Sequence, residues 1–555
     1  MRNRRLLPPL LAGAFFCFTA LGLGATLPSA YATSYTPISG QGSSWAANAI
    51  QDWAASVHNS GIQVNFDPQG SVAGLNNFAN GTIDFAASDV PYGLAGGATP
   101  PPPQGRPFAY IPDVAGGTAL MYNLPIGGRQ YANLKLSGPT IAGIFSGAIT
   151  MWNAPQIKAD NPGVGLPPLQ ITPVVRSDPS GSTAQFSLWM KSQFPSAWKC
   201  GEISDYKQCQ YYNAMKGQAG DTGVAGFVGQ HTNAGSIGYV EYSYALQSGY
   251  PVAKVLNQSG FYTLPTASNV AVALLKARVN MDKSNPKTYL TQDLSGVYTD
   301  SDPRAYPISS YSYFVVPTDQ SNRFTTAKGS SLGAFVDYAL CTGQQAAPQL
   351  GYSPLPINLA EAGLAQVRKI PGAAVQNINI QNCHNPTFST NGTNTLAINA
   401  LYPDLCDKRG VSSTCTYGTP LKGSKSSSGS GQGDNNSVGN HNSGSVGSGN
   451  VATSGTPGST GVSGSKGGTN GGAPSNASGS GANGGSGAIS LLNPDGRTSC
   501  DPDTGQCTQV AASPALVSTS LGANFSQWVV WAALGGLVVL ILAPPAVVLL
   551  RRKGR

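Results

Sequence analysis

The chain has 555 residues, enough for two or three domains, and a hydrophobic share of 40% that can fill ordinary cores. Its formal charge of +8 is concentrated at the ends: Arg2, Arg4 and Arg5 lie in the first five residues, and Arg551, Arg552, Lys553 and Arg555 in the last five, with no acid beside them. The stretch between is close to neutral, which excludes a nucleic-acid binder whose affinity rests on clustered cations.

Residues 1–32 read as a secretory signal, with an Arg-rich start, an apolar run over 6–23 and the small-x-small site Ala30-Tyr31-Ala32. Of the 9 cysteines, Cys17 leaves with that signal, and Cys200, Cys209, Cys341, Cys383, Cys406, Cys415, Cys500 and Cys507 remain. An even set in an exported chain favours disulfides. The short spacings suggest Cys200–Cys209, Cys406–Cys415 and Cys500–Cys507, leaving Cys341 for Cys383, although spacing alone keeps other connectivities open. No CxxC pair occurs and the histidines (His58, His231, His384, His441) are scattered, so neither a metal nor a cofactor is expected.

In chain order, residues 39–57 (SGQGSSWAANAIQDWAASV) give a glycine turn and then a helix, with Ser43 and Ser44 at its start. A strand over 62–66 and a turn lead to a second helix beginning at Gly70 and Ser71. A buried strand over 82–86 delivers Ser88 and Asp89 at its carboxyl end, where open α/β sheets bind ligands. Residues 108–125 read as two strand segments around Gly116-Gly117, a hinge or crossover, and residues 140–145 as a short helix or turn. The stretch VVRSDPSGSTAQF (174–186) carries a β-branched run to Arg176, turns at Asp178 and Pro179, and sets Ser180, Gly181 and Ser182 at the head of a helix. An aromatic strand element follows over 235–244, an amphipathic helix over 270–279, a long strand over 306–317, and helices over 333–338 and 360–367.

Three separate segments thus place serine at a helix start (Ser44, Ser71, Ser180 with Ser182), and a fourth delivers a carboxylate, Asp89. Helix N-termini, hydroxyls and one guanidinium steadied by Asp178 make an oxyanion cage if they converge. Taken singly, each is as well explained as a cap or a turn. Asp89 sets the choice of anion, because a carboxylate repels an oxyanion unless that oxyanion has a proton to donate. Phosphate at neutral pH has one and sulfate has none.

The segments GQGSSWAANAIQDW, GSVAGLNNFANGTIDFAASDVP, VVRSDPSGS and GSIGYVEYSYA, in this order, resemble the phosphate-binding proteins of bacterial phosphate ABC transporters, over roughly residues 39–371. The resemblance implies an α/β, two-lobed periplasmic-binding-protein-like (type II) fold and no enzymatic activity. It places the phosphate ligands on Ser44, Trp45, Ser71, Asp89, Arg176, Ser180, Gly181 and Ser182, with Asp178 supporting the arginine. Ser44 and Ser182 stand where the family usually has threonine, and Trp45 where phenylalanine is common.

The resulting organisation is a signal peptide (1–32); a phosphate-binding-protein-like domain (33–371) with lobe I over 33–116 and 306–371 and lobe II over 117–305; and a Cys-containing extension (372–420). A disordered Gly/Ser/Asn-rich stalk follows (421–487), too poor in apolar residues to bury a core. Beyond it come a juxtamembrane segment with Cys500 and Cys507 (488–527), a transmembrane helix (528–550) of a length that spans a bilayer of about 30 Å, and a basic cytoplasmic tail (551–555). The expected role is membrane-tethered binding of phosphate for ABC-type import or for phosphate sensing; the expected partners are inorganic phosphate, a phosphate ABC permease and the membrane itself, and the chain is expected to be a monomer and not to bind nucleic acid. Two rival readings are a surface phosphatase, for which no Ser-His-Asp order or metal cluster stands out, and a structural or adhesive surface protein on the same fold.

Overall fold

The computed structural model describes residues 35–417, save 95–96, 375–376 and 413–414, together with the strands Thr498–Cys500 and Cys507–Gln509. These last two form an antiparallel pair by themselves, with Cys500 opposite Cys507 in register; the bond expected between them lies outside the described residues. So do the expected signal (1–32), stalk (421–487), membrane span (528–550) and tail (551–555). No helix among the described residues is long and apolar enough to cross a membrane.

Eight strands build the main sheet: β1 (Ile38–Gly42), β2 (Val64–Asp67), β3 (Phe85–Ser88), β4 (Phe108–Tyr122), β5 (Thr172–Arg176), β6 (Lys216–Gln218), β7 (Ser236–Glu241) and β8 (Ser309–Pro317), in the order β2-β1-β3-β8-β4-β7-β5-β6. β1 pairs parallel with β2 and β3, and β5 pairs parallel with β6 and β7. β4 and β8 run antiparallel to their neighbours. Such parallel βαβ units need helical crossovers, and those that matter for the site are α1 (Ala47–His58), α2 (Ser71–Ala79), α3 (Gly181–Gln193) and α4 (Gly220–Val228).

β4 joins the two lobes. Its residues from Phe108 to Gly117 pair with β8 in the first lobe, and those from Thr118 to Tyr122 pair with β7 in the second. All fifteen of its residues are buried. The two segments expected around Gly116-Gly117 are one continuous strand, which changes partners from one lobe to the other just after these glycines, and the glycines also meet a packing need. A Cβ on Gly116 would stand 2.7 Å from the Trp45 ring, and one on Gly117 would stand 2.6 Å from Pro265. Glycine in a strand interior here marks close approach. The helix expected over 270–279 is also shorter, Ala267–Leu274 with Thr266 as its cap; Arg278–Val279 instead pairs with Gln292–Asp293.

Aromatic residues fill each lobe. Trp53, Phe85, Phe314 and Phe335 pack in the first; Phe145, Phe186, Trp189 and Tyr239 pack in the second. Disulfides join Cys200–Cys209, Cys341–Cys383 and Cys406–Cys415.

After the sheet is complete, the chain crosses both lobes. Cys383 is bonded to Cys341 at the end of the helix Thr326–Leu340, and Asn385 Nδ2 and Thr387 Oγ1 donate to the Leu355 carbonyl. Further on, Lys254 Nζ meets both oxygens of Asp407 at 2.8 and 2.9 Å, and Lys135 Nζ donates to the Cys406 carbonyl and stands 3.7 Å from Asp407. Both lysines are buried, and burial pulls the Lys135 ammonium below its ordinary range against the pull of Asp407. Asp407→Ala leaves two buried ammoniums without their carboxylate, so urea unfolding is expected to show a loss of about 3–5 kcal/mol.

Candidate anion site between the lobes

The predicted residues come together where the carboxyl ends of β1, β3 and β5 face one another. Ser43 and Ser44 leave β1 into α1, Ser71 opens α2, Asp89 follows β3, Arg176 ends β5, and Gly181 and Ser182 open α3. All are buried, and Arg176 is only 1% exposed. The lobes are in direct contact here. Gly70, at φ +95°, has no room for a side chain: a Cβ would lie 2.8 Å from Asp178 Oδ2. A Cβ on Gly181 would lie 2.5 Å from Ser71 Oγ and 2.7 Å from Asp89 Oδ2. Gln185, on α3, donates to the Asp89 carbonyl at 2.9 Å.

Arg176 is held on three of its faces. Nε donates to Asp178 Oδ1 at 2.8 Å and Nη2 donates to Asp178 Oδ2, a bidentate fork that fixes the guanidinium plane. Nη1 donates to Asp221 Oδ2 at 2.7 Å and to Ser182 Oγ at 3.3 Å. Asp178 Oδ1 also accepts the Gly220 N–H. Burial would raise the Asp178 carboxyl, but the guanidinium and these donors hold it below the ordinary carboxylate range.

Asp89 sits in a serine cluster. Ser43 Oγ donates to Oδ1, Ser71 Oγ donates to Oδ2 at 3.1 Å, and Ser312 Oγ donates to Oδ1 at 3.2 Å. Burial pushes its carboxyl up to about 6, with the Asp221 charge adding to the rise and the Ser43 and Ser71 hydroxyls and Arg176 opposing it. The carboxylate is therefore a strong acceptor in a poorly solvated place, suited to a ligand that brings a proton.

The side chains of two predicted residues have partners within the protein. Ser180 caps its own helix, its Oγ accepting the Thr183 N–H at 3.0 Å. The Trp45 side chain turns away from the carboxylates: its indole N–H donates to Thr118 Oγ1 at 3.2 Å, and its ring meets Tyr352 edge-on at 5.9 Å. It fixes the turn between β1 and α1 against the shared strand.

Four residues at the site were absent from the expected ligand set. Ser43 and Ser312 hold Asp89. Asp221, at the start of α4, accepts from Ser44 Oγ at 2.5 Å as well as from Arg176. Glu241, at the end of β7, donates its N–H to Asp221 Oδ1 at 2.9 Å. Burial raises the Glu241 carboxyl well above its ordinary value, opposed by Ser243 and reinforced by Asp221, and its Oε1 has no hydrogen-bond partner. The signal for Asp221 was in the sequence: glycine, then an acid, then apolar residues at helical spacing (Val224, Val228), the same pattern that marks the serines.

A cavity of about 620 Å³ at the outer edge of the first lobe, lined by Gln41, Val64, Phe66 and Asp67 among others, contains no Lys or Arg and offers an anion nothing comparable. Asp404, Cys406 and Cys415 lie close enough to share a metal ion, but the two cysteines are bonded to each other and present no thiolates.

Two α/β lobes joined through a shared strand, with hydroxyls, one guanidinium and a buried carboxylate brought together where the lobes meet, define a bivalve solute-binding protein. The family model of the PBP superfamily domain matches residues 27–342. Phosphate-binding protein PstS 2 of Mycobacterium tuberculosis is 31% identical over 340 residues, covering 60% of this chain and 87% of that protein. Phosphate-binding protein PstS of Haemophilus influenzae is 32% identical over 343 residues, covering 62% and 94%. Among solved structures, the phosphate-binding protein of Stenotrophomonas maltophilia superposes with a TM-score of 0.45 at 18% identity, over 65% of this chain and 99% of that one. The chain belongs to the PBP superfamily and, within it, to the family of the PstS phosphate-binding proteins.

Proposed function

We propose that this protein captures inorganic phosphate outside the cytoplasm and presents it to an ABC-type permease while tethered by the span expected at 528–550. The observation that carries this reading is the convergence, between the lobes, of Ser71 on the Asp89 carboxylate with Ser44 and Ser182 gathered about the Arg176 guanidinium and Asp221. The hydroxyls and the guanidinium supply donors for phosphate oxygens, and the helix starts at Ala47, Ser71 and Gly181 add their dipoles. Asp89 accepts the proton that phosphate carries and sulfate lacks, so sulfate would leave a buried acceptor unpaired beside a like charge. The named relatives are all phosphate-binding proteins, which supports the same ligand here.

The full chain, freed of endogenous phosphate and kept in detergent, should bind phosphate in a calorimetric titration with a stoichiometry near one. At a ligand concentration 100 times the dissociation constant the stabilisation is about 2.7 kcal/mol. Sulfate at the same concentration should give a much smaller response. Equal responses to the two anions, or no response to either, sink the assignment.

A further inference from the structure

We propose that Asp221 is a second specificity-determining acceptor in this site, so that the anion bound is the doubly protonated, monobasic form of phosphate. The inference rests on the phosphate reading above and goes further, to the ionic species.

Two serine–aspartate pairs share one hydrogen-bond pattern. Ser71 Oγ donates to Asp89 Oδ2 at 3.1 Å and accepts the Asp89 N–H at 3.2 Å. Ser44 Oγ donates to Asp221 Oδ2 at 2.5 Å and accepts the Asp221 N–H at 3.2 Å. A hydroxyl has one proton to give. For either serine to donate to a bound oxyanion, its proton must leave the carboxylate it now serves. Asp89 Oδ2 then loses its serine donor and Asp221 Oδ2 keeps Arg176 Nη1 alone, and inside a buried site a proton on the anion restores the donor each has lost. Two such serines face two such carboxylates, so the exchange balances with two P–OH groups.

Charge gives the same answer. Asp221 is wholly buried, and the groups facing it are Arg176 from β5, Asp178 through the shared guanidinium, Asp89 across the gap, Glu241 from β7, and Tyr244 and Tyr352, whose hydroxyls bond the Ser44 and Trp45 carbonyls. Lys216 on β6 turns outward over the Phe227 ring, 5.4 Å away, and adds no cation. Arg176 is already matched by Asp178, so a second negative charge on the ligand would meet the carboxylates of Asp89 and Asp221 with no cation to offset it.

Calorimetry on the full chain, in two buffers of different ionisation enthalpy, tests this directly. At a pH above the second ionisation of phosphate, binding should take up about one proton per phosphate, and affinity should fall about tenfold per further pH unit. Asp221→Asn puts an amide where the acceptor stood; its affinity should change less than threefold over the same pH unit, and its proton uptake should drop towards zero. Phosphate binding by the native chain with a flat pH profile and no proton uptake overturns this inference while leaving the phosphate reading intact. No phosphate binding at any pH overturns both. Should Asp221→Asn fail to fold, the proton uptake of the native chain still decides.

Discussion

Replacing Arg176 with alanine is expected to abolish phosphate binding and to cost the empty protein about 3–5 kcal/mol of stability, the usual penalty for removing one partner of a buried ion pair. The guanidinium is the cation shared by Asp178 and Asp221, at a position 1% exposed. Its loss leaves Asp221 with the Ser44 hydroxyl and the Glu241 N–H as its donors, and Asp178 with the Gly220 N–H as its chief remaining one. Arg176→Lys should recover part of the stability and little of the binding, because an ammonium cannot span both Asp178 oxygens while reaching Asp221. The deficit should also depend on pH. Asp178 is held below its ordinary range, so the stability it lends is present at neutral pH and is lost as pH falls through that lowered value. Native and Arg176→Ala unfolding curves should therefore converge in acid. An alanine variant as stable as the native chain at neutral pH would show that the fork does not hold the lobes' meeting face.

Much of the fold was legible because its grammar is local. The runs β1-α1-β2-α2-β3 each lie within a few dozen residues, with serine or glycine at or just before each helix; that signal marks Ser44, Ser71 and Ser182, and the strand ends mark Asp89 and Arg176. What stayed illegible depends on contacts between distant parts of the chain. Ser44 and Asp221 are 177 residues apart, so the glycine-acid helix start around Asp221 does not by itself show that its carboxylate meets Ser44. Gly116 and Gly117 carry the local mark of a break, yet the Trp45 ring and Pro265 lying against them make the same glycines a packing requirement in an unbroken strand. Ser180 illustrates the converse: its local role as a helix cap was visible from the start, and that role is what its hydroxyl performs.

Asp89→Asn should make the empty protein more stable and less selective at once. The Asp89 carboxyl is pushed up to about 6 in the folded state, against 3.8 for the free group, chiefly by burial. Between those values the folded chain holds a proton that the unfolded chain releases. The empty protein therefore loses stability as pH rises from about 4 to 6, and above that the cost is fully present, on the order of 3 kcal/mol at 1.36 kcal/mol per unit. An asparagine has no charge to bury. Its carbonyl can still accept from Ser43 and Ser312, and its amide can donate to Ser71 Oγ, which the native pattern permits once that hydroxyl turns outward. Urea unfolding at pH 7 without phosphate should thus gain about 1–3 kcal/mol, and the decline between pH 4 and 6 should flatten. The same amide removes the acceptor that penalises an unprotonated anion and offers a donor in its place, so sulfate affinity should rise while phosphate affinity falls. A variant that loses stability and still rejects sulfate would place the selection elsewhere in the cage. The paired outcome separates a residue kept for packing from one kept for ligand choice: packing predicts a loss of stability on substitution, whereas a carboxylate held in an unfavourable place for its acceptor strength predicts a gain.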